Sequence, residues 1–167
     1  TSTSPVAEIA ASSGTGSTQK YASDYINDAI TAAMAGDTVK LGDGIYEVDN
    51  DSYINLNEAI TLTSVNGASS TTIRNTEEID KAILVNTDGS STYPIIIDGL
   101  TFQRLRAGGS HDIDCAVYNN GNDYVTVRNN IFNNIEPDQN SATEGVVWFS
   151  NGDTITSATI SNNTFNN

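Results

Sequence analysis

The sequence predicts an all-β fold, a parallel β-solenoid of about five coils, on three observations. One six-residue phrase is written three times: Ile-Asp-Gly-Leu-Thr-Phe at 97–102, Val-Arg-Asn-Asn-Ile-Phe at 127–132 and Ile-Ser-Asn-Asn-Thr-Phe at 160–165. Its phenylalanines, Phe102, Phe132 and Phe165, lie 30 and 33 residues apart. A second phrase interleaves with the first at a similar period: Ala82-Ile83-Leu84-Val85-Asn86, Ala116-Val117-Tyr118-Asn119-Asn120 and Val146-Val147-Trp148-Phe149-Ser150-Asn151. Two phrases on one period mark a repeat architecture. Apolar and polar residues tend to alternate within them, the periodicity of a strand and not of a helix. A coil of such strands buries its apolar side only by stacking on the next coil.

Taken in order, residues 1–22 read as an extended N-terminal tail, rich in Ser, Thr, Ala and Gly. Within it Val6 and Ile9 could form a strand along the solenoid's own flank or along a neighbouring molecule. Residues 23–35 are the one convincing helix. Ser23 is the expected N-cap, Asp24 lies in the first turn, and Gly36 ends the element. Ala22, Ile26, Ala29, Ile30 and Ala33 form one apolar stripe. That stripe is expected to cover the first coil, because an uncovered solenoid end is a row of unpaired strand groups.

The paired asparagines Asn129-Asn130, Asn133-Asn134, Asn162-Asn163 and Asn166-Asn167 fall at equivalent places in successive repeats. Asparagine tolerates left-handed backbone and bonds its own main chain, so it suits the sharp corner between two strands. Equivalent amides on coils about 4.8 Å apart can also hydrogen-bond along a ladder.

The bulk numbers narrow the function classes. At 167 residues the chain is one domain long enough to bury a core. Its net charge of −14 argues against nucleic acid and anionic membrane as partners, and no run has the length of a membrane helix. The single cysteine, Cys115, reads as a buried structural thiol beside Ala116. A chain that starts at Thr1 without a leader reads as a processed, secreted product, extracellular or on the cell surface.

From the helix onward, Gly36-Asp37-Thr38-Val39-Lys40-Leu41, then Gly44-Ile45-Tyr46, Ile60-Thr61-Leu62 and Ile97-Asp98-Gly99-Leu100-Thr101-Phe102 follow one another. This order resembles the opening of right-handed parallel β-helix proteins of the pectate-lyase-like superfamily, over residues 23–167. It is similar to the first half of polysaccharide lyases of the alginate lyase and chondroitinase B type, and also to adhesin-like surface proteins. The resemblance implies a right-handed helix of strands capped by residues 23–35. It also implies, for a lyase, a Lys base and an Arg acid in later coils, aided in many members by calcium. Lys81, Arg104, Arg106 and Arg128 do not reproduce that constellation.

Chemistry is expected in the loops after each repeat, at 76–81, 106–114 and 136–144. These leave the coils at one corner and carry Glu77, Glu78, Asp80, Asp112, Asp114, Glu136, Asp138 and Glu144. Neighbouring carboxylates repel unless solvated, protonated or bridged by a cation. Calcium, which takes six to eight oxygens, is therefore the candidate cofactor, with Glu77, Asp80, Asp112, Asp114, Glu136, Asp138 and Glu144 as ligands. A plain solvated acidic flank is the alternative. Arg104 and Arg106, beside His111, are candidates for touching an acidic polysaccharide, and Tyr118, Tyr124 and Trp148 for stacking on a glycan.

The sequence ends in mid-coil, so the last coil is expected to be covered either by a continuing chain or by another molecule. Head-to-tail self-association would then use Val6 and Ile9 at one end and Trp148, Phe149 and Phe165 at the other. A contact of that kind does not close, and yields a filament. Three functions follow as expectations: an extracellular structural or adhesive protein that self-associates, the first half of a uronate lyase, or a glycan-binding module.

Overall fold

The computed structural model describes residues 6–9, 22–49, 53–75, 81–103, 115–120, 122–135, 145–150, 155 and 157–166. Among these are fifteen short strands and one helix. The strands form three sheets. The first contains β1 (Val6–Ile9), β2 (Thr38–Leu41), β5 (Thr61–Ser64), β8 (Ile95–Asp98), β11 (Val125–Arg128) and β14 (Ala158–Ser161), in that spatial order. The second contains β3 (Gly44–Val48), β6 (Thr71–Asn75), β9 (Thr101–Gln103), β12 (Ile131–Asn133) and β15 (Thr164–Asn166). The third contains β4 (Ile54–Leu56), β7 (Lys81–Val85), β10 (Cys115–Asn119) and β13 (Val147–Phe149). All pairings between these strands are parallel. From β2 onward the chain visits the three sheets in strict rotation, each circuit adding one strand to every sheet. This all-parallel, three-sheet arrangement is compatible with the solenoid that the repeats predict.

Strand alternation turns one side chain in two towards the core. The second sheet aligns Tyr46, Ile73, Phe102, Phe132 and Phe165 in register. Phe102 stacks on Phe132 with centroids 4.9 Å apart, and Phe132 on Phe165 at 5.0 Å, the rings tilted by only 8° and 9°. The spacing equals the strand spacing of a sheet, so parallel rings are what in-register phenylalanines must form. Val39, Leu62, Ile97, Val127 and Ile160 form the matching column of the first sheet. Burial holds through most of both columns and then falls: Phe132 is 1 % exposed but Phe165 54 %, and Ile160 50 %.

The corners between the first and second sheets show why the repeats end in Asn-Asn. Asn129 and Asn162 have φ of 54°, and Gly99, at the same place one coil earlier, has 66°. The next residue then reaches back one coil. The Asn130 Oδ1 accepts from the Leu100 N–H at 2.9 Å, and its Nδ2 donates to the Ile97 carbonyl at 3.0 Å. Asn163 repeats this on Asn130 N–H and the Val127 carbonyl, at 2.9 and 2.8 Å. Each asparagine thus staples the corner below it, in a site where an unpaired polar group is costly. Asn134, with φ 51°, makes a left-handed position just after β12. An outward amide pair, Asn166 Nδ2 to Asn133 Oδ1 at 2.8 Å, links β15 to β12.

The helix α1 spans Ala22–Ala32, starting one residue before and ending three residues short of the 23–35 expected. Ser23 therefore lies within the first turn and not at the N-cap. The chain leaves the helix through 33–35 because Asp37 recloses it: Asp37 Oδ2 accepts from Met34 N–H, and Gly36 turns with φ +92°. Ile26 and Ile30 are fully buried, with Ala29 and Ala33 packed beside them. Two such isoleucines contribute roughly 1.5–3 kcal/mol each, and they fix α1 against β3 and β4. Asn27 closes the free edge of β4. Its Nδ2 donates to the Tyr53 carbonyl and its Oδ1 accepts from the Asn55 N–H, both at 2.9 Å. That is the bonding pattern of a parallel strand neighbour opposite Ile54.

Candidate functional site on the third sheet

Of the two settings foreseen for the N-terminal segment, its own chain is the one observed: Val6 pairs with Thr38 and Ile9 with Leu41, so β1 extends the first sheet. The seven proposed metal ligands Glu77, Asp80, Asp112, Asp114, Glu136, Asp138 and Glu144 lie outside the described residues, as do Glu78, His111, Arg104 and Arg106. Among the described residues no three His, Cys, Asp or Glu side chains come together as a metal group, and no helix is long and apolar enough to cross a membrane. Cys115 is buried.

The remaining candidates fall into two groups. Phe149 and Phe165 lie on the inward side of their strands: Phe149 packs against the core cluster, and Phe165 ends the ring stack with its far face exposed. Trp148 does not. Register pairs Val117 with Val147, Tyr118 with Trp148 and Asn119 with Phe149. Val117 and Asn119 are fully buried, so the alternation of a strand turns Tyr118 and Trp148 to the outer face. Leu84 precedes them in the same column, opposite Tyr118, and Asn55 precedes Leu84. Leu84, Tyr118 and Trp148 are all partly exposed. The outer face of the third sheet therefore carries a column of Leu, Tyr and Trp on successive coils about 4.8 Å apart.

A polar row borders this column. Ladder bonds continue one residue past each strand, from Asn86 N–H to the Leu56 carbonyl, Asn120 N–H to Val85 and Ser150 N–H to Asn119, at 2.9, 3.2 and 2.8 Å. The alternation then turns Asn86, Asn120 and Ser150 to the same side as the column. Asn86 and Asn120 are exposed and Ser150 half-buried. The Tyr118 hydroxyl donates to Asn120 Oδ1 at 3.2 Å, fixing the ring's outer edge. Under this row Asn119, fully buried, holds the turn by donating to the Asn122 carbonyl at 2.9 Å and accepting from its N–H at 3.1 Å. At the foot of the column the Asn55 Oδ1 is buried without a hydrogen-bond partner. Beside it the Lys81 ammonium sits 4.7 Å above the Tyr53 ring, a cation–π contact.

Tyr124 does not join the column. It occupies a left-handed position, φ 55°, just ahead of β11, and its carbonyl accepts from Ile95 N–H at 3.0 Å. Arg128, the fourth basic residue weighed from the sequence, lies on the first sheet with its Nη2 2.9 Å from Asp98. On the second sheet Arg74 bonds Glu47 at 2.7 Å. The sequence signal for the outer column was its phase: Leu84, Tyr118 and Trp148 occupy the third place of the repeated phrase.

The fold and site define the molecule as an all-β protein of three parallel sheets with an aromatic strip along one outer face. The chain matches no protein-family model, no curated protein and no solved structure.

Proposed function

We propose that this protein is a right-handed parallel β-helix of the pectate-lyase-like kind that works outside the cell as a polysaccharide-binding, adhesive element. Handedness is inferred from the near-universal right-handed crossover between parallel strands of one sheet. The observation that carries the function is the in-register pair Tyr118 and Trp148, turned outward on adjacent coils beside Asn86 and Asn120. Sugar rings offer an apolar C–H face to an aromatic ring and hydroxyls to side-chain amides, the two chemistries that this face sets side by side. Affinity electrophoresis through gels cast with soluble polysaccharides tests the reading. Retardation that Trp148→Ala removes supports it. Equal mobility of parent and variant in every gel would sink it.

A second reading, end-to-end self-association, is favoured by the exposure of Ile160 and Phe165, whose counterparts Val127 and Phe132 are buried. Pairing of β1 with β2 commits one face of that strand within the chain, leaving its outer edge to meet β14 of another copy. Sedimentation over a concentration series, with and without calcium, tests this, and a monomer throughout would end it. Catalysis by a uronate lyase would need a base and an acid beyond the ion-paired Arg74 and Arg128.

A further inference from the structure

The outer face of the third sheet also carries information about the charge of what it binds. Its described outward positions include Asn55, Leu84, Tyr118 and Trp148, bordered by Asn86, Asn120 and Ser150, and none of these is an Asp, Glu, His, Lys or Arg. Lys81, at the start of β7, is the one basic residue among the described residues of this sheet, and it is engaged over Tyr53. Arg74 and Arg128 belong to the other two sheets, each neutralised by its carboxylate. In the sequence, the stretches before β7, β10 and β13 hold eight carboxylates, Glu77, Glu78, Asp80, Asp112, Asp114, Glu136, Asp138 and Glu144, against Arg104 and Arg106. The whole chain carries −14.

From this we infer that the polysaccharide is a neutral one, not a uronate or sulfated polymer. The inference rests on the reading of this face as a polysaccharide platform. A polyanion approaching it would meet net negative potential, with Lys81, held over Tyr53, the single described cation of this sheet to pair its row of carboxylates. A neutral chain meets no such repulsion. Its ring faces would lie on Leu84, Tyr118 and Trp148, and its hydroxyls would meet the Asn86 and Asn120 amides, which both donate and accept. Binding built on stacking and neutral hydrogen bonds is not screened by salt, whereas binding of a polyanion is.

The test compares neutral polymers (a soluble β-glucan and a galactomannan) with alginate, polygalacturonate and a chondroitin sulfate. Titration calorimetry would be run on the whole chain at low and high salt, with calcium and with chelator. Expected is binding to a neutral polymer that is indifferent to salt and calcium and about ten-fold weaker in Trp148→Ala. Tyr118→Phe, which keeps the ring and loses the bond to Asn120, should weaken it less. Binding of an anionic polymer as tight as or tighter than a neutral one, with or without calcium, overturns the inference; if Trp148→Ala abolishes that binding too, the platform reading survives. Binding of no polymer in either class overturns both. Thermal unfolding of the variants in parallel separates lost binding from lost folding.

Discussion

Asn130 is the residue on which the coil-to-coil joint can be tested most sharply. It is 1 % exposed, and its amide accepts from Leu100 N–H while donating to the Ile97 carbonyl. Asn130→Ala leaves the Leu100 N–H, in a fully buried residue, with nothing to bond. An orphaned buried donor costs about 1–3 kcal/mol, and the second lost bond adds about 1, so the substitution should cost roughly 2–4 kcal/mol. Urea unfolding followed by circular dichroism would measure it. Asn130→Asp sharpens the argument. Its carboxylate can still accept from Leu100 but faces the Ile97 carbonyl without a proton. Its deficit against the parent should therefore be larger at pH 7 than in mild acid, where protonation restores a donor. A loss below about 1 kcal/mol for Asn130→Ala would refute the staple, and so would an Asn130→Asp deficit that ignores pH.

Other perturbations follow from the same geometry. Phe132→Ala should cost about 3–5 kcal/mol, because it removes a buried ring stacked on both faces; Phe165→Ala, half-exposed and stacked on one face, should cost about 1–2, and equal losses by urea titration would contradict the column. Burial lifts the Tyr46 hydroxyl, which donates to the Gly42 carbonyl, to about 12, with Asp43 nearby adding to the rise. The unfolded chain then ionises near pH 10 while the folded one keeps its proton. Tyr46 therefore supports stability fully below pH 10 and loses that contribution as pH rises to 12, by on the order of 2 kcal/mol. Melting temperatures of Tyr46→Phe should fall less steeply over that window than those of the parent. At Gly36, φ is +92° and a Cβ would lie 2.7 Å from Tyr93 Cδ1; Gly36→Ala should cost about 1–2 kcal/mol from backbone strain alone, plus a clash that Tyr93→Ala relieves in the double variant.

Much of the fold was legible because parallel strands that return to the same sheet at a fixed interval write their geometry into spacing. Phe102, Phe132 and Phe165 recur at the period of a coil, so their stack is readable as an interval. The Asn-Asn pairs announce corners for the same reason. The third place of the other phrase marked Tyr118 and Trp148, yet without the sheet register Trp148 could be read equally as core or surface. What stayed hidden lacks periodicity. Asn27 in a helix has no sequence cue that ties it to Tyr53 and Asn55, and Val6–Ile9 carries no signal naming β2 as its partner. Tyr93 over Gly36 is likewise a single contact between distant coils. The helix end shifted because Asp37 draws the Met34 N–H out of the helical ladder, so the chain leaves the helix after Ala32 and turns only at Gly36, four residues on. The acidic and arginine candidates fall outside the described residues.

The Asn27 amide has one more consequence. A side chain that imitates a peptide group terminates a ladder, in the way a capped monomer terminates a polymer, since it offers the strand below nothing further to bond. It can also imitate only one peptide, which matches a β4 of three residues. The third sheet is therefore closed to growth at this end. New strands can join this sheet by insertion between existing ones, as at the corners where Asn130 and Asn163 each bond the coil before.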